Sequence, residues 1–103
     1  MQDTSRIIRM DPHHLIAMKQ HAIYSDMTLS TLYAKALSWF VDHSRTSAID
    51  FLQPPSEGKS VTLPMTFELV EKINQIACTR GASQMTVLYT GIRLYLSHVL
   101  KLF

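Results

Sequence analysis

Cysteine is nearly absent. Cys78 is the only one, which excludes an internal disulfide and a cysteine-built zinc site and suits a reducing, cytoplasmic setting. Charge is sparse as well: charged residues make up 17% of the chain and the formal balance is only +2. That is far short of a protein that coats nucleic acid by charge alone, so a nucleic-acid role must rest on local placement. No apolar run approaches the roughly 20 residues that span a bilayer. The opening "MQDTSRIIRMD" lacks the apolar stretch of a secretory signal, and low-complexity tracts are missing. What is present is 103 residues with 47% apolar content. That length gives one domain, 1–103, with a modest core in which burial narrowly exceeds chain entropy and self-association would help.

The second half has the clearer pattern. Val61, Leu63 and Met65 alternate with Ser60, Thr62 and Pro64, the period of a half-buried strand. Thr66 then reads as an N-cap, with Met65 placed to staple onto Val70. Val70, Ile73, Ile76 and Ala77 follow at helical spacing, Leu69 widens the stripe, and Gly81 supplies the stop. Ser83 caps a further helix whose apolar stripe is Val87, Leu88, Gly91, Ile92, Tyr95, Leu96 and Val99.

The same unit occurs twice. An offset of 55 positions lays Ser5–His43 over Ser60–His98 without a gap. Met10 falls on Met65, Gln20 on Gln75, Ala22 on Ala77, Thr31 on Thr86 and His43 on His98. Apolar residues exchange for apolar ones: Ile8 for Leu63, Leu15 for Val70, Met18 for Ile73, Leu32 for Val87, Leu37 for Ile92. Asp11 takes the cap position of Thr66, Pro12 suits the first helical position, and Thr28 matches Ser83 as the second cap. The first unit is therefore 5–43 and the second 60–98.

A lone strand of six residues leaves its backbone groups without partners. Ser60–Met65 is expected to pair with Ser5–Met10 in the same polypeptide. Between the units, 44–59 carries Pro54-Pro55 and Gly58, the composition of a linker. Its only large apolar residues, Ile49, Phe51 and Leu52, are expected to pin it to the core. The fold class is mainly α with a two-stranded antiparallel β-ribbon, in one domain.

Strand, helix, glycine-bearing turn and helix, in "TLPMTFELVEKINQIACTRGASQMTVLYTGIRLYL", resembles the ribbon-helix-helix family of small bacterial and phage DNA-binding proteins. The match runs from Ser60 to about Leu96, with Ala77, Gly81, Ser83, Val87 and Gly91-Ile92 at family-like positions. The first half matches less well, because Asp26 stands where the turn glycine belongs. Most members are homodimers of one motif. A tandem pair in one chain, pseudo-symmetric and intertwined, is similar to some accessory DNA-binding proteins of conjugative plasmids.

The resemblance implies a ribbon in the major groove of duplex DNA, with alternate side chains reaching base edges and the others buried beneath. The outward set is Ser5, Ile7, Arg9, Ser60, Thr62 and Pro64; the inward set is Arg6, Ile8, Met10, Val61, Leu63 and Met65. Base-reading candidates are thus Ser5, Ile7, Arg9, Ser60 and Thr62. Arg9 suits guanine, Thr62 a hydrogen bond or a thymine methyl, and Ile7 apolar contact only. The free N–H groups opening each second helix suit a backbone phosphate. The matching residues are Thr28, Leu29 and Ser30, then Ser83, Gln84 and Met85, with Lys59 flanking the ribbon. Capping alone accounts for Thr28 and Ser83; a phosphate would be an additional use of the same terminus. Two residues depart from the pattern. Pro64 brings no polar atom to the groove, and Arg6 falls at an inward position, where a charge needs a partner or an escape to water.

No other constellation points to chemistry. His14 and His21 lie two turns apart on one helical face, but nothing nearby completes a metal site. Trp39, Tyr33, Tyr89 and Tyr95 share helical spacing with Leu and Val, which favours packing over base stacking. Cys78 lacks the neighbours of a nucleophile. No enzyme, cofactor or metal is expected. The expected function is DNA binding, as a regulator of transcription or an accessory factor of a mobile element, with self-association through the apolar tail "SHVLKLF". The competing reading is a protein-interaction module for a partner such as a toxin or relaxase, with weak or lost DNA binding. Strands paired between two chains in a swapped dimer would change the stoichiometry but not the chemistry.

Overall fold

The computed structural model describes residues 3–43 and 51–102. Six elements follow in order: β1 (Asp3–Met10), α1 (Pro12–Tyr24), α2 (Leu29–His43), β2 (Lys59–Thr66), α3 (Phe67–Arg80) and α4 (Gln84–His98). The chain is mainly helical, with one two-stranded antiparallel sheet. Both strands run slightly longer than the expected 5–10 and 60–65. The added residues are Asp3 and Thr4 of β1, which pair with Thr66 and Met65, and Lys59 and Thr66 of β2, of which Lys59 pairs with Met10, so the ladder is longer at both ends.

Local chemistry explains where the helices begin. Asp11 accepts from the His13 amide at 2.8 Å and Pro12 opens α1. Thr66 Oγ1 accepts from the Leu69 amide at 3.2 Å. The two remaining starts are alike in detail. Thr28 Oγ1 accepts from the Thr31 amide at 3.1 Å and donates to Thr31 Oγ1 at 2.8 Å. Ser83 Oγ accepts from the Thr86 amide at 3.1 Å and donates to Thr86 Oγ1 at 2.9 Å. Each cap satisfies an amide that has no partner inside its helix.

The turns between the helices also agree. Gly81 ends α3 in the left-handed region at φ 66°, and Asp26, after α1, sits there too at φ 57°. Asp is one of the few non-glycine residues that tolerate this conformation, at some cost.

The ribbon lies over the helices. Ile8, Met10, Val61, Leu63 and Met65 turn inward and are buried, and Leu32, Leu37, Phe40, Val87, Ile92 and Leu96 form the layer beneath. Burying side chains of this size removes each from water at a gain of about 1.5–3 kcal/mol. β1 packs against α4 and β2 against α2, while α2 and α4 pack on each other. Gly91 permits that last approach: a Cβ there would stand 3.0 Å from the Phe40 ring. Tyr33, Tyr89 and Tyr95 belong to the core, and Trp39 packs edge-on to Tyr95 at 5.7 Å.

Of the linker's apolar residues, Phe51 and Leu52 pack against the core, and Ile49 lies outside the described residues. The Leu52 amide donates to Thr90 Oγ1 at 2.8 Å, and the Arg80 guanidinium sits 5.0 Å over the Phe51 ring. No helix among the described residues is long and apolar enough to cross a membrane.

Candidate nucleic-acid interface

Antiparallel pairing places Ser5 opposite Pro64, Ile7 opposite Thr62 and Arg9 opposite Ser60. Strand alternation sends these six side chains to the face away from the helices. Ser5, Ile7, Arg9, Ser60 and Thr62 are all exposed, Ile7 at 59%, so the five base-reading candidates share one solvent face. Pro64 is half-buried and stands at the ribbon's rim beside Thr66 and Ser30. Arg9 makes one long contact, 3.4 Å to the Gly58 carbonyl, and its guanidinium is otherwise turned to water. Lys59, opposite Met10 at the other rim, is exposed despite its inward strand parity.

The helix starts flank this face. Leu29 and Ser30 of α2 line a shallow cleft together with Ser60 and Thr62 of β2 and Lys19 of α1. At α4, Arg6 reaches across from β1: its Nε donates to Gln84 Oε1 at 2.7 Å, and its Nη1 to Thr4 Oγ1 at 3.1 Å and the Ser5 carbonyl at 2.9 Å. The side-chain Nε2 of Gln84 donates in turn to Asn74 Oδ1. Arg6 therefore has the partner that an inward charge requires, and it is half-buried. With the Gln84 side chain held by Arg6 and Asn74, what α4 offers a ligand at that residue is its backbone N–H.

Lys19 and Arg6 are not among the phosphate candidates that the sequence suggests, whereas Gln84, which Arg6 contacts, is. Lys19 had a usable signal, since it and Asn74 are the same position in the two halves. The reach of Arg6 to α4 had none, because it depends on which helix lies under which strand. In both places a cation sits near the positive end of a helix dipole, which disfavours the arrangement unless an anion joins it.

The two sides of the ribbon differ below this level. On the α2 side a shallow groove runs past Ser30, Ala34, Ser38, Thr66 and Leu69. At the corresponding positions of α4 stand Met85, Tyr89 and Arg93, and Arg93 Nη1 donates to Tyr89 Oη at 3.0 Å. Burial, then the nearby Arg93 charge, holds the His14 imidazole below its ordinary range. Burial also pushes the Tyr33 phenol up to about 12.

The histidines of α1 are engaged locally. His13 Nδ1 lies 3.0 Å from Asp11 and His21 Nε2 lies 3.2 Å from Ser25 Oγ. Among the described residues no group of three His, Cys, Asp or Glu side chains is placed to hold a metal ion.

No family model, curated protein or solved structure matches this chain.

Proposed function

We propose that the chain is a single-polypeptide pair of ribbon-helix-helix motifs that binds duplex DNA, with the ribbon in the major groove and the starts of α2 and α4 on the flanking phosphates. The observation that carries this reading is the exposed ribbon face, bearing Arg9 and bordered on each side by a capped helix start with a cation beside it. A base edge and two backbone phosphates are the partners such a surface fits.

Three features support the tandem, intertwined architecture. Ile7 and Thr62, counterparts under the 55-residue offset, face each other in the register, so a two-fold axis relating the halves would pass between them. Each strand packs on the second helix of the other half. Asp26 and Gly81 both have positive φ, 57° and 66°, and the Thr28–Thr31 pair repeats as Ser83–Thr86.

The two half-faces are unequal, Arg9 against Pro64 and Ile7 against Thr62, so the preferred DNA site is asymmetric. The role is regulation of transcription or accessory work on a mobile element, in the cytoplasm and without enzymatic chemistry. Pro64 and the small net charge favour a second reading, in which the same fold binds a protein and contacts DNA weakly.

Selection of bound fragments from random and genomic duplexes, followed by gel shift at two salt concentrations, tests the proposal. Binding should weaken steeply with salt, and Arg9→Ala should weaken it further. Retention of no fragment, or equal affinity in the mutant, would remove the ribbon from the mechanism.

A further inference from the structure

The outer side of α1 is apolar where the core makes no use of it. Ile16, Ile23 and Tyr24 are 52%, 80% and 90% exposed, and their spacing puts them on one face of the helix. Leu102, 46% exposed, lines a shallow depression with Ala17, Gln20 and Tyr24 and extends the same patch. The equivalent positions of α3 are Glu71, Cys78 and Thr79, all exposed. One half keeps this face for water and the other does not.

We propose that this α1 face is a dimerisation surface whose occupant is the α1 face of a second copy. Single exposed apolar residues are ordinary on a protein, but four that adjoin form a patch of the size that marks a contact site. Together Ile16, Ile23, Tyr24 and Leu102 offer roughly 500 Å² per copy. With the stems of the intervening Gln20 and His21, two copies would bury about 1,200 Å² in all, the lower end of the range for a specific, stable interface.

Antiparallel crossing of two α1 helices sets Gln20 against its own mate on the dyad. It also lays Ile16 of each copy toward Ile23 and Tyr24 of the other. α1 has no carboxylate, and the exposed polar side chains it brings beside the patch are Lys19 and the neutral Gln20, so Lys19 is its one permanently charged side chain at the contact. Because α3 lacks the patch, the contact is isologous and closes at two copies instead of propagating into a fibre. The surface is separate from the ribbon's outer face, and the inference stands apart from the DNA reading.

Sedimentation equilibrium of the full chain without DNA, across low to high micromolar concentrations, tests it. The expected result is a monomer–dimer equilibrium with a dissociation constant on the order of 10 μM, as suits a small interface. Ile23→Lys and, separately, Ile16→Lys should each weaken the dimer at least about 30-fold, given the cost of an unpaired charge in an apolar contact. Circular dichroism should show both variants folded, since both sites face water. Glu71→Ala, on the equivalent face of α3, should leave the equilibrium unchanged. A monomer at every concentration, a dimer that survives both lysine variants, or assembly that continues past two copies would each overturn the proposal.

Discussion

Asp26, just past the Ser25 cap of α1, and Gly81, the cap of α3, take φ of 57° and 66°, and Thr28 and Ser83 open the next helices with the same pair of hydrogen bonds. Beneath the ribbon Ile8 answers Leu63 and Met10 answers Met65, all buried. Away from these positions the halves part. Arg9 stands where the second half has Pro64, Ile16 where it has Glu71, His14 where it has Leu69, and Ser38 where it has Arg93. Positions that set the backbone, and most of those that build the core, are matched in kind, Arg6 against Val61 and His14 against Leu69 being exceptions, while most positions that meet water have diverged. The difference separates what the fold requires from what each surface is for.

The most damaging test of that separation removes matched core residues. Ile8→Ala and Leu63→Ala should each lower stability by about 2–5 kcal/mol, to similar extents, in a single denaturant transition. Two transitions would show that the halves fold as separate units.

Next comes the unequal ribbon. Arg9→Ala should cost about 1–3 kcal/mol of affinity for a selected duplex, as loss of a bidentate arginine contact does. Thr62→Ala should cost less, about 0.5–1.5 kcal/mol, the net worth of one neutral hydrogen bond. The reverse order would place the reading half on β2.

The turns offer a smaller effect of known sign. Asp26→Gly should raise stability by up to about 1 kcal/mol, because glycine adopts the left-handed conformation without strain. Gly81→Ala should lower it by about 1 kcal/mol, although a Cβ there meets nothing within 4 Å, so the loss is purely conformational.

The gentlest probe is acid. His14 has a depressed pKa caused by burial and by Arg93, with Asp11 opposing and His13 adding to the depression. The unfolded chain therefore takes up its proton more readily than the folded one. This contribution to stability is complete above the ordinary value of 6.5 and falls away as pH drops through the folded value. His14→Leu, which copies the residue at the matching position, should flatten that part of the stability curve in urea titrations.

Much of the fold was legible in the sequence because period and punctuation agree along it. The alternation of Val61, Leu63 and Met65, the caps at Asp11, Thr66 and Ser83, and the stop at Gly81 are local signals, and each is found where expected. The 55-residue offset supplied the strand's partner. The outward and inward sets on the ribbon followed from alternation alone. Three things did not follow. The bond from Arg6 to Gln84, the cleft that brings Lys19 to Leu29 and Ser30, and the half-buried state of Pro64 all depend on how helices lie under strands, which no local pattern encodes. The exposed face of α1 was hidden for another reason. Ile16, Ile23 and Tyr24 share α1 with Leu15, Ala17, Met18 and Ala22, so apolar residues occur all round the helix and burial could not be told from exposure by composition.

The ribbon's outer face as the DNA surface is best tested by mapping amide chemical shifts while a selected duplex is added to the labelled protein. The largest changes should fall on Ser5, Ile7, Arg9, Ser60 and Thr62, with a second set at 28–30 and 83–85. A bound duplex that leaves those amides still while shifting α1 or the connection before β2 would contradict the account.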